Sequence, residues 1–387
     1  MIRFKSTDLL NYIPVTSTKM NRVNLVQILR QQGQSIWLDG LERSLILTGQ
    51  LQRSVDLGLR GLLSNFTSLE QAIRAGSYDR DFRAIAHQLD INARSLYEYL
   101  VIQDMQLAAD LLKAFHSQTH TGDGFVNLDL PPHAAFVTQA TLAEAHRLWQ
   151  TVGWSNLMLK IPATAATLPA IAQLIQDGIN VNVTLLFSQD VYEQVAESYL
   201  RGLEVLSIQG KDVSKVAGVA SLPVSRLDDA IATQLQVTGQ DEVLRESFLG
   251  NVAIAQAKVM YQHYQSIYQS DRWQSLAHLG AQPQRLLWDI TSIENDRFRT
   301  QHYIQSLMGE STVLALTPQI FQEQELYSPS EADFTVGIDA AHQILNNLEN
   351  LISLETLADR LLTEELRRSQ DTYQQLLSAI EQKRLSF

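Results

Sequence analysis

The chain contains NLMLKIPAT at residues 156–164, an apolar run with the composition of a buried strand, interrupted by a single cation, Lys160. A lysine with apolar neighbours and no water is expected to have a lowered pKa, so that its neutral amine is free to attack a carbonyl carbon. The alternative is the usual one for a strand lysine, whose side chain extends to solvent. The polar residues at the ends of the other predicted strands favour the reactive amine.

Short apolar runs rich in β-branched residues alternate along the chain with longer segments of helical periodicity. This alternation indicates βα units and a parallel sheet. Eight such runs favour a closed (β/α)₈ barrel, the TIM-barrel fold, with extra terminal helices, over an open doubly wound sheet. The predicted strands span residues 35–39, 61–65, 125–130, 156–161, 179–186, 216–222, 285–290 and 312–316.

Two helix boundaries can also be predicted between these strands. A helix over residues 168–176 is apolar on one face and stops just before Gly178, a residue that suits the end of a helix. Ser188 is expected to cap the N-terminus of the next helix, which begins at Gln189. Each helix lies where a barrel needs one.

The domain organisation is inferred from the absence of a linker. The 387 residues contain no segment rich in Pro, Gly and Ser that divides them, which indicates one dominant domain. We expect a disordered tail at residues 1–20, the barrel domain at 21–333, and a helical extension at 334–387 packed on the barrel. The extension carries an apolar stripe formed by Ala340, Ile344, Leu348 and Leu351.

Composition argues against several classes of function. The net charge of -12 and a pI near 5.2 make a nucleic-acid partner unexpected, since proteins that bind the phosphate backbone present a basic face. The chain has no cysteine, which excludes disulfides and thiolate metal sites. His116 and His120 lie four residues apart, but a zinc site needs a third ligand, so we expect surface histidines and no metal. Without a secretory signal or an apolar run of ~20 residues, a cytoplasmic protein without a membrane partner is expected.

Polar residues gather at the predicted carboxyl ends of the strands, where a (β/α)₈ barrel places its reacting groups. Taken singly, most have an ordinary explanation: Asp39 and Asn65 suit turns or helix N-caps, and Asn182 and Thr184 suit any barrel interior. Together they would surround one lysine. In strand order they are Asp39, Ser64, Asn65, Asp129, Lys160, Asn182, Thr184, Ser221 with Arg226 just beyond, Asp289 and Thr291.

Four segments of the chain resemble the transaldolase family, and the resemblance extends from about Gly33 to about Leu287. The two central segments are the most specific. Their order and spacing are similar to those of the longer bacterial transaldolases, whose lysine lies on strand four of a class I aldolase barrel. The segments are QSIWLD at residues 34–39, NLMLKIPAT at 156–164, INVNVTLLFS at 179–188, and VAS at 219–221 with VSRLD at 224–228.

The resemblance implies transfer of a three-carbon unit through a Schiff base. Lys160 would attack the C2 carbonyl of a ketose phosphate such as fructose 6-phosphate, and the resulting iminium would permit C3–C4 cleavage. Asp39 matches the aspartate that contacts substrate hydroxyls and assists proton transfer. Asp129 stands at the position of the family's general acid/base, and Thr184 matches the threonine that orients the catalytic water. The three-carbon unit would then pass to erythrose 4-phosphate.

The same resemblance implies the binding groups. Asn65 and Asn182 match the residues that hold the dihydroxyacetone unit. Ser221 and Arg226 match part of the phosphate site, where a guanidinium can hydrogen-bond two phosphate oxygens at once. The expected partners are small sugar phosphates, and neither a metal nor an organic cofactor is required.

Some positions depart from the family pattern. Asp129 replaces a glutamate, and a shift of ~1 Å in a reacting group can cost on the order of 10²-fold in rate. Asn65 is followed by Phe66 where relatives have proline. On strand seven Glu294 stands where relatives have a lysine that favours the substrate phosphate, and strand eight ends LALT at residues 314–317 in place of Asn-Thr-Met-Pro.

Three hypotheses are compatible with these residues. The first is a working transaldolase of the pentose phosphate pathway whose site rim has changed. The second is a degenerate paralogue with a binding or regulatory role, which keeps Lys160 by descent. The third is a Schiff-base aldolase with a different carbonyl substrate, since Glu294 would repel a phosphate. Retention of Asp39 with Lys160 favours an enzyme, which we expect to be a monomer or homodimer.

Overall fold

The computed structural model describes residues 25–85, 92–120, 122–239, 242–293, 296–324, 327 and 333–387. The tail expected at residues 1–20 and the departure at Glu294 therefore lie outside the described residues.

Eight parallel strands form a closed barrel, in which each strand pairs with the next in the chain and the last pairs with the first. The predicted (β/α)₈ fold is confirmed, and the observed strand ends differ from the predicted ones by at most two residues. The strands are β1 Ser35–Asp39, β2 Gly61–Leu63, β3 Phe125–Asp129, β4 Leu157–Pro162, β5 Val181–Thr184, β6 Gly218–Pro223, β7 Arg285–Asp289 and β8 Val313–Leu316.

Helices surround the barrel and extend beyond it at both ends of the chain. Short 3₁₀ helices follow β3 and precede β6, at Pro132–Phe136 and Val213–Lys215. The α-helices of the described residues are α1 Leu25–Gln31, α2 Arg43–Leu47, α3 Gln50–Leu57, α4 Phe66–Arg74, α5 Asp79–Ile85, α6 Ala93–Gln118, α7 Thr138–Val152, α8 Leu168–Gln176, α9 Gln189–Ile208, α10 Val224–Val237, α11 Glu242–Phe248, α12 Val252–Gln269, α13 Asp271–Ala277, α14 Arg297–Ser306, α15 Pro318–Gln322, α16 Ile338–Glu349 and α17 Leu354–Arg384.

Both helix boundaries predicted from the sequence are confirmed. α8 has the predicted bounds, and Gly178 follows it with a φ of 86°, a left-handed conformation that glycine adopts without strain. The Ser188 side chain accepts a hydrogen bond from the Val191 amide at 3.3 Å and so caps α9.

An apolar cluster packs part of the barrel interior. Trp37 packs so tightly against Gly61 that a Cβ added there would lie 2.5 Å from the indole ring. The interior is thus a packed core, which leaves the carboxyl-terminal mouth for a site. This inner cluster comprises Trp37, Leu63, Phe125, Met158, Ala217, Val219, Leu287, Val313 and Ala315.

The two last helices pack on different parts of the barrel. α17 lies at the carboxyl-terminal mouth, where it contacts α4, α6 and α10, and α16 packs against α12. On α16 the stripe prediction is wrong for Ala340, which is exposed, because the face turned toward α12 carries Ala341 instead. Leu348 is buried as expected. None of the helices in the described ranges is long and apolar enough to cross a membrane.

Candidate active site

A cavity of about 520 Å³ lies at the carboxyl ends of the strands, and Lys160 lines it. Lys160 projects from β4, where its register partners are Asp129 on β3 and Asn182 on β5. Its Nζ lies 3.3 Å from Asp129 Oδ1, and its side chain is only 21% exposed. The amine therefore faces the cavity with a carboxylate beside it.

The pKa of Lys160 is raised, whereas the sequence suggested that it would be lowered. Burial lowers this pKa, but the carboxylates of Asp129, Asp39 and Asp289 raise it and together outweigh the loss of water. These carboxylates come from three strands, β3, β1 and β7, which only the closed barrel brings around one amine. The prediction is wrong because it weighed the apolar neighbours along one strand. At rest Lys160 is therefore a cation, and an ammonium group must lose a proton before it can attack a carbonyl.

Asp39 ends β1 and also lines the cavity. Burial raises the pKa of Asp39 to about 7; Asp289 and Asp129 add to the rise, while Lys160 and a hydrogen bond from Asn65 oppose it. Asn65 Nδ2 donates to Asp39 Oδ2 at 3.0 Å, and the buried Oδ1 has no hydrogen-bond partner within the described residues. A carboxyl with this pKa exchanges its proton near neutrality, and Oδ1 is available to a ligand hydroxyl.

Asn65 caps a helix and also lines the cavity. Its Oδ1 accepts hydrogen bonds from the amides of Thr67 and Ser68 at 2.9 and 3.3 Å, which caps α4. Because the cap fixes the oxygen, the Nδ2 group is held toward Asp39. The ordinary explanation for Asn65, a helix N-cap, is confirmed, and its functional role stays a prediction.

Ser64 holds Asp129 in place. The Ser64 hydroxyl donates to Asp129 Oδ2 at 2.9 Å and accepts from the Asp129 amide at 2.9 Å, while Oδ1 faces Lys160. The shorter carboxylate thus reaches the amine although it lacks one methylene of glutamate. Ser64 was noted in the sequence only as a polar strand end, and this bracing role was missed.

Asn182 and Ser221 are buried, with 0% and 3% exposure, and neither is part of the described cavity lining. Ser221 Oγ donates to Asn182 Oδ1 at 2.6 Å, and Asn182 Nδ2 donates to Asn127 Oδ1 at 3.1 Å. Asn127 Nδ2 in turn donates to the Leu62 carbonyl at 2.9 Å. This hydrogen-bonded chain fixes the Asn182 side chain beside Lys160, and Ser221 reaches Asn182 rather than the cavity.

Thr184 ends β5 and lines the cavity together with Leu185. Leu185 has a φ of 61°, a left-handed conformation that costs a non-glycine residue roughly 1–2 kcal/mol. The Ala163 amide donates to the Thr184 carbonyl at 2.8 Å, which ties the end of β5 to the chain just after β4. Backbone strain of this kind clusters at functional sites.

Arg226 lines the cavity from the first turn of α10, and α17 adds two charged residues. Arg226 Nε lies 3.8 Å from Glu365 Oε1, and Arg368 Nη1 lies 3.3 Å from the same oxygen. Glu365 and Arg368 could not be identified from the sequence, because the pattern of an amphipathic helix does not show which surface the helix will cover.

The end of β7 and the residues after it contribute polar groups to the cavity, whereas Arg299 on α14 pairs with α10. Asp289 and Thr291 line the cavity, and Asp289 Oδ1 accepts from the Thr291 amide and hydroxyl at 2.9 and 2.7 Å. Arg299 pairs with Asp229 at 2.6 Å and donates to the Ser225 carbonyl at 3.2 Å. Its guanidinium therefore packs on α10.

No group of three or more potential metal ligands is found within the described ranges. The expectation that both histidines lie at the surface is correct for His120 and wrong for His116. His116 Nδ1 lies 3.1 Å from the Asp123 carbonyl, and burial lowers the pKa of this histidine. The cause is that α6 packs His116 against β3, where its ring meets Phe125.

The sequence matches the family model described as Transaldolase/Fructose-6-phosphate aldolase over residues 36–380. The chain belongs to this family. It is 37% identical over 373 residues to Transaldolase 2 of a Nostoc species, a match that covers 93% of this chain and 98% of that one. Identity to the transaldolase of Trichodesmium erythraeum is 35% over 362 residues, covering 91% and 95% of the two chains. For the transaldolase of Thiobacillus denitrificans it is 33% over 360 residues, covering 92% and 100%.

These matches confirm the resemblance seen in the sequence and support transaldolase function, that of a transferase of the class I aldolase type. The degenerate paralogue and the aldolase with a different substrate are not favoured. Sugar phosphates are the substrate class that goes with the transaldolase family.

Proposed function

We propose that this transaldolase transfers a dihydroxyacetone unit through a Schiff base on Lys160, as a step of the pentose phosphate pathway. The donors are sedoheptulose 7-phosphate and fructose 6-phosphate, and the acceptors are glyceraldehyde 3-phosphate and erythrose 4-phosphate. The observation that carries the proposal is the Lys160 amine within the cavity, with a carboxylate oxygen 3.3 Å away.

The first step is loss of the Lys160 proton. Asp129 Oδ1 lies within ion-pair distance and accepts it, after which the neutral amine adds to C2 of the ketose. Asp129 returns this proton to the C2 oxygen and then transfers a second proton from the nitrogen to the same oxygen. The oxygen leaves as water, and the nitrogen and C2 form an iminium. The iminium is the electron sink of the route, so the chemistry calls for no added cofactor.

Cleavage then depends on Asp39. Its carboxylate takes the proton of the C4 hydroxyl as the C3–C4 bond breaks, and the electron pair enters the iminium to give an enamine. The aldose phosphate leaves, and the enamine attacks the carbonyl carbon of the acceptor while Asp39 returns the proton. The pKa of about 7 suits a group that both takes and gives a proton near neutrality. Water oriented by Thr184 hydrolyses the final iminium.

The binding roles are proposed from the same geometry. Asn65 holds hydroxyls of the dihydroxyacetone unit, supported by the cap of α4. For Asn182 this role stays a prediction, since its buried side chain lies outside the cavity lining and is hydrogen-bonded to Ser221 and Asn127. Arg226 binds the substrate phosphate. A phosphate contact by Ser221 stays a prediction, since its observed partner is Asn182.

Several broader expectations also stay predictions. They are the division at residues 21–333 and 334–387, the monomeric or homodimeric state, the cytoplasmic location and the lack of a nucleic-acid partner. Each rests on composition, periodicity or the family resemblance.

The decisive experiment is borohydride reduction of the protein with fructose 6-phosphate, followed by intact mass and peptide mapping. We expect a stable three-carbon adduct on Lys160, which requires both imine formation and C3–C4 cleavage. Addition of erythrose 4-phosphate should discharge the unreduced intermediate and yield sedoheptulose 7-phosphate. Absence of the adduct under conditions that label another transaldolase would contradict the proposal.

A further inference from the structure

α17 forms part of the wall of the cavity. Its residues at 365, 366, 368, 369 and 372 line the cavity and lie on one side of the helix, three, four and seven positions apart. α17 is held there by contacts with α4, α6 and α10, so the charges that it presents have fixed neighbours. Two of the lining residues, Glu365 and Arg368, are charged.

These two charges form a small cluster with Arg226. Glu365 Oε1 lies 3.8 Å from Arg226 Nε and 3.3 Å from Arg368 Nη1, so one carboxylate oxygen sits between two guanidinium groups. Glu365 is 18% exposed, against 36% for Arg226 and 52% for Arg368. Within the part of the chain that the structure describes, Glu365 is the acidic partner that both arginines share.

The cavity has two electrostatically different regions. Around Lys160 the carboxylates of Asp129, Asp39 and Asp289 repel a phosphate. The pair Arg226 and Arg368 offers planar donors with the geometry that matches phosphate oxygens. A phosphorylated ketose that places C2 at Lys160 is therefore expected to direct its phosphate toward the arginines.

We propose that Arg368 is a second phosphate-binding residue beside Arg226, and that Glu365 occupies this anion subsite until a phosphate displaces it. The inference rests on the transaldolase function proposed above and adds α17 to the residues that select phosphorylated substrates. A phosphate carries more negative charge than a carboxylate and can engage both guanidinium groups at once. The ion pairs of Glu365 are partly exposed and long, so little opposes the exchange. Arg368 thereby adds a second cation to the cavity beside Arg226.

The variants that test this are Arg368→Gln and Glu365→Gln, with Arg367→Gln as the matched control. Arg367 immediately precedes Arg368 on α17 and is not part of the cavity lining. Its side chain is 83% exposed and pairs with Asp371 at 3.9 Å. Donor kinetics are measured with fructose 6-phosphate and with fructose, both with glyceraldehyde as an acceptor that carries no phosphate.

For Arg368→Gln we expect KM for fructose 6-phosphate to rise about 10-fold with kcat and the kinetics of fructose nearly unchanged, as for loss of one charge-assisted contact. Glu365→Gln should lower KM for fructose 6-phosphate about 3-fold or more, because the competing anion is gone. If Arg368→Gln behaves like Arg367→Gln, or if Glu365→Gln weakens phosphate binding, the proposed subsite is wrong.

Binding of inorganic phosphate separates this inference from the proposed catalysis. Isothermal titration of each folded variant with inorganic phosphate should show about 10-fold weaker binding for Arg368→Gln and tighter binding for Glu365→Gln, with Arg367→Gln equal to the parent chain. This result would support the subsite even if no imine formed on Lys160. Equal phosphate affinity in all four proteins would overturn the subsite while leaving the Schiff-base proposal intact.

Discussion

Lys160 and Asp129 are register partners on β4 and β3, and their side chains meet with Nζ 3.3 Å from Oδ1. The shorter side chain at position 129 does not separate the carboxylate from the amine, because Ser64 holds the other oxygen at 2.9 Å. The pair has two consequences. Asp129 helps to keep Lys160 charged at rest, and in the proposed mechanism it is also the group that removes the proton.

Replacement of the lysine tests the nucleophile directly. Lys160→Ala should give no borohydride-trapped three-carbon adduct and no transfer, because the amine that forms the imine is removed. Lys160→Arg should also fail, although it keeps a cation among the three carboxylates. Peptide mapping after reduction is the measurement, with thermal unfolding of both variants as the check on folding. An adduct on another lysine of Lys160→Arg would refute the assignment.

Substitution of the paired carboxylate tests the proton transfer. Asp129→Asn keeps the shape and the Ser64 contact but cannot accept a proton, so we expect kcat to fall by about 10²–10⁴-fold. Asp129→Glu should also lose activity, by roughly 10-fold or more, because Ser64 braces the carboxylate at the shorter length. Steady-state kinetics with fructose 6-phosphate and erythrose 4-phosphate provide the measurement.

The contribution of Ser64 to the position of Asp129 can be tested separately. Ser64→Ala keeps the Asp129 carboxylate but removes the hydrogen bond that fixes its orientation. The loss in kcat for Ser64→Ala should therefore be smaller than that for Asp129→Asn. Turnover of Asp129→Asn at the parental rate would exclude Asp129 as the base. A gain in activity for Asp129→Glu would show that the shorter side chain is a defect of the site.

The raised pKa of Asp39 predicts a pH dependence of stability. Its pKa is about 7 in the folded protein against an ordinary 3.8, so the folded state binds more protons than the unfolded state between these values. The contribution of Asp39 to the free energy of unfolding therefore falls as pH rises through that window. Asp39→Asn removes this pH-dependent fall. The free energy of unfolding of Asp39→Asn, relative to that of the parent protein, should therefore increase between pH 5 and pH 8 by on the order of 1–2 kcal/mol.

Urea denaturation of both proteins at the two pH values measures this difference. The matched control is Asp56→Asn, since Asp56 lies exposed on α3 and outside the cavity. We expect the control to show no comparable change in relative stability between the two pH values. A stability difference for Asp39→Asn that shrinks toward pH 8 would contradict the raised pKa.

The sequence predicted the parts of the structure that depend on local pattern. The strands follow from alternating short apolar runs, so every one was located to within two residues, and α8 was predicted with its observed bounds. Lys160, Asp39, Asp129 and Thr184 were placed at strand ends, and the closed barrel brings all four to one cavity. Local pattern suffices to predict these positions because the carboxyl ends of all eight strands lie close together in a (β/α)₈ barrel.

The sequence failed where a property depends on residues distant in the chain. The direction of the Lys160 pKa shift depends on the balance between burial and carboxylates from three other strands, which a single strand cannot reveal. Glu365 and Arg368 were missed because the docking surface of α17 is set by tertiary packing. The phosphate contact expected of Ser221 stays a prediction, and the sequence did not indicate that its buried hydroxyl donates to Asn182.

Ser221 therefore gives a test that separates a positioning role from phosphate binding. Ser221→Ala leaves the buried Oδ1 of Asn182 without its hydrogen bond at 2.6 Å, so we expect a loss of about 1–3 kcal/mol in stability. If Ser221 only positions Asn182, kcat/KM should fall by the same factor for fructose 6-phosphate and for fructose. The double variant with Asn182→Ala should lose less than the sum of the single losses, because the two residues share one bond. A loss confined to the phosphorylated donor would instead place Ser221 at the phosphate.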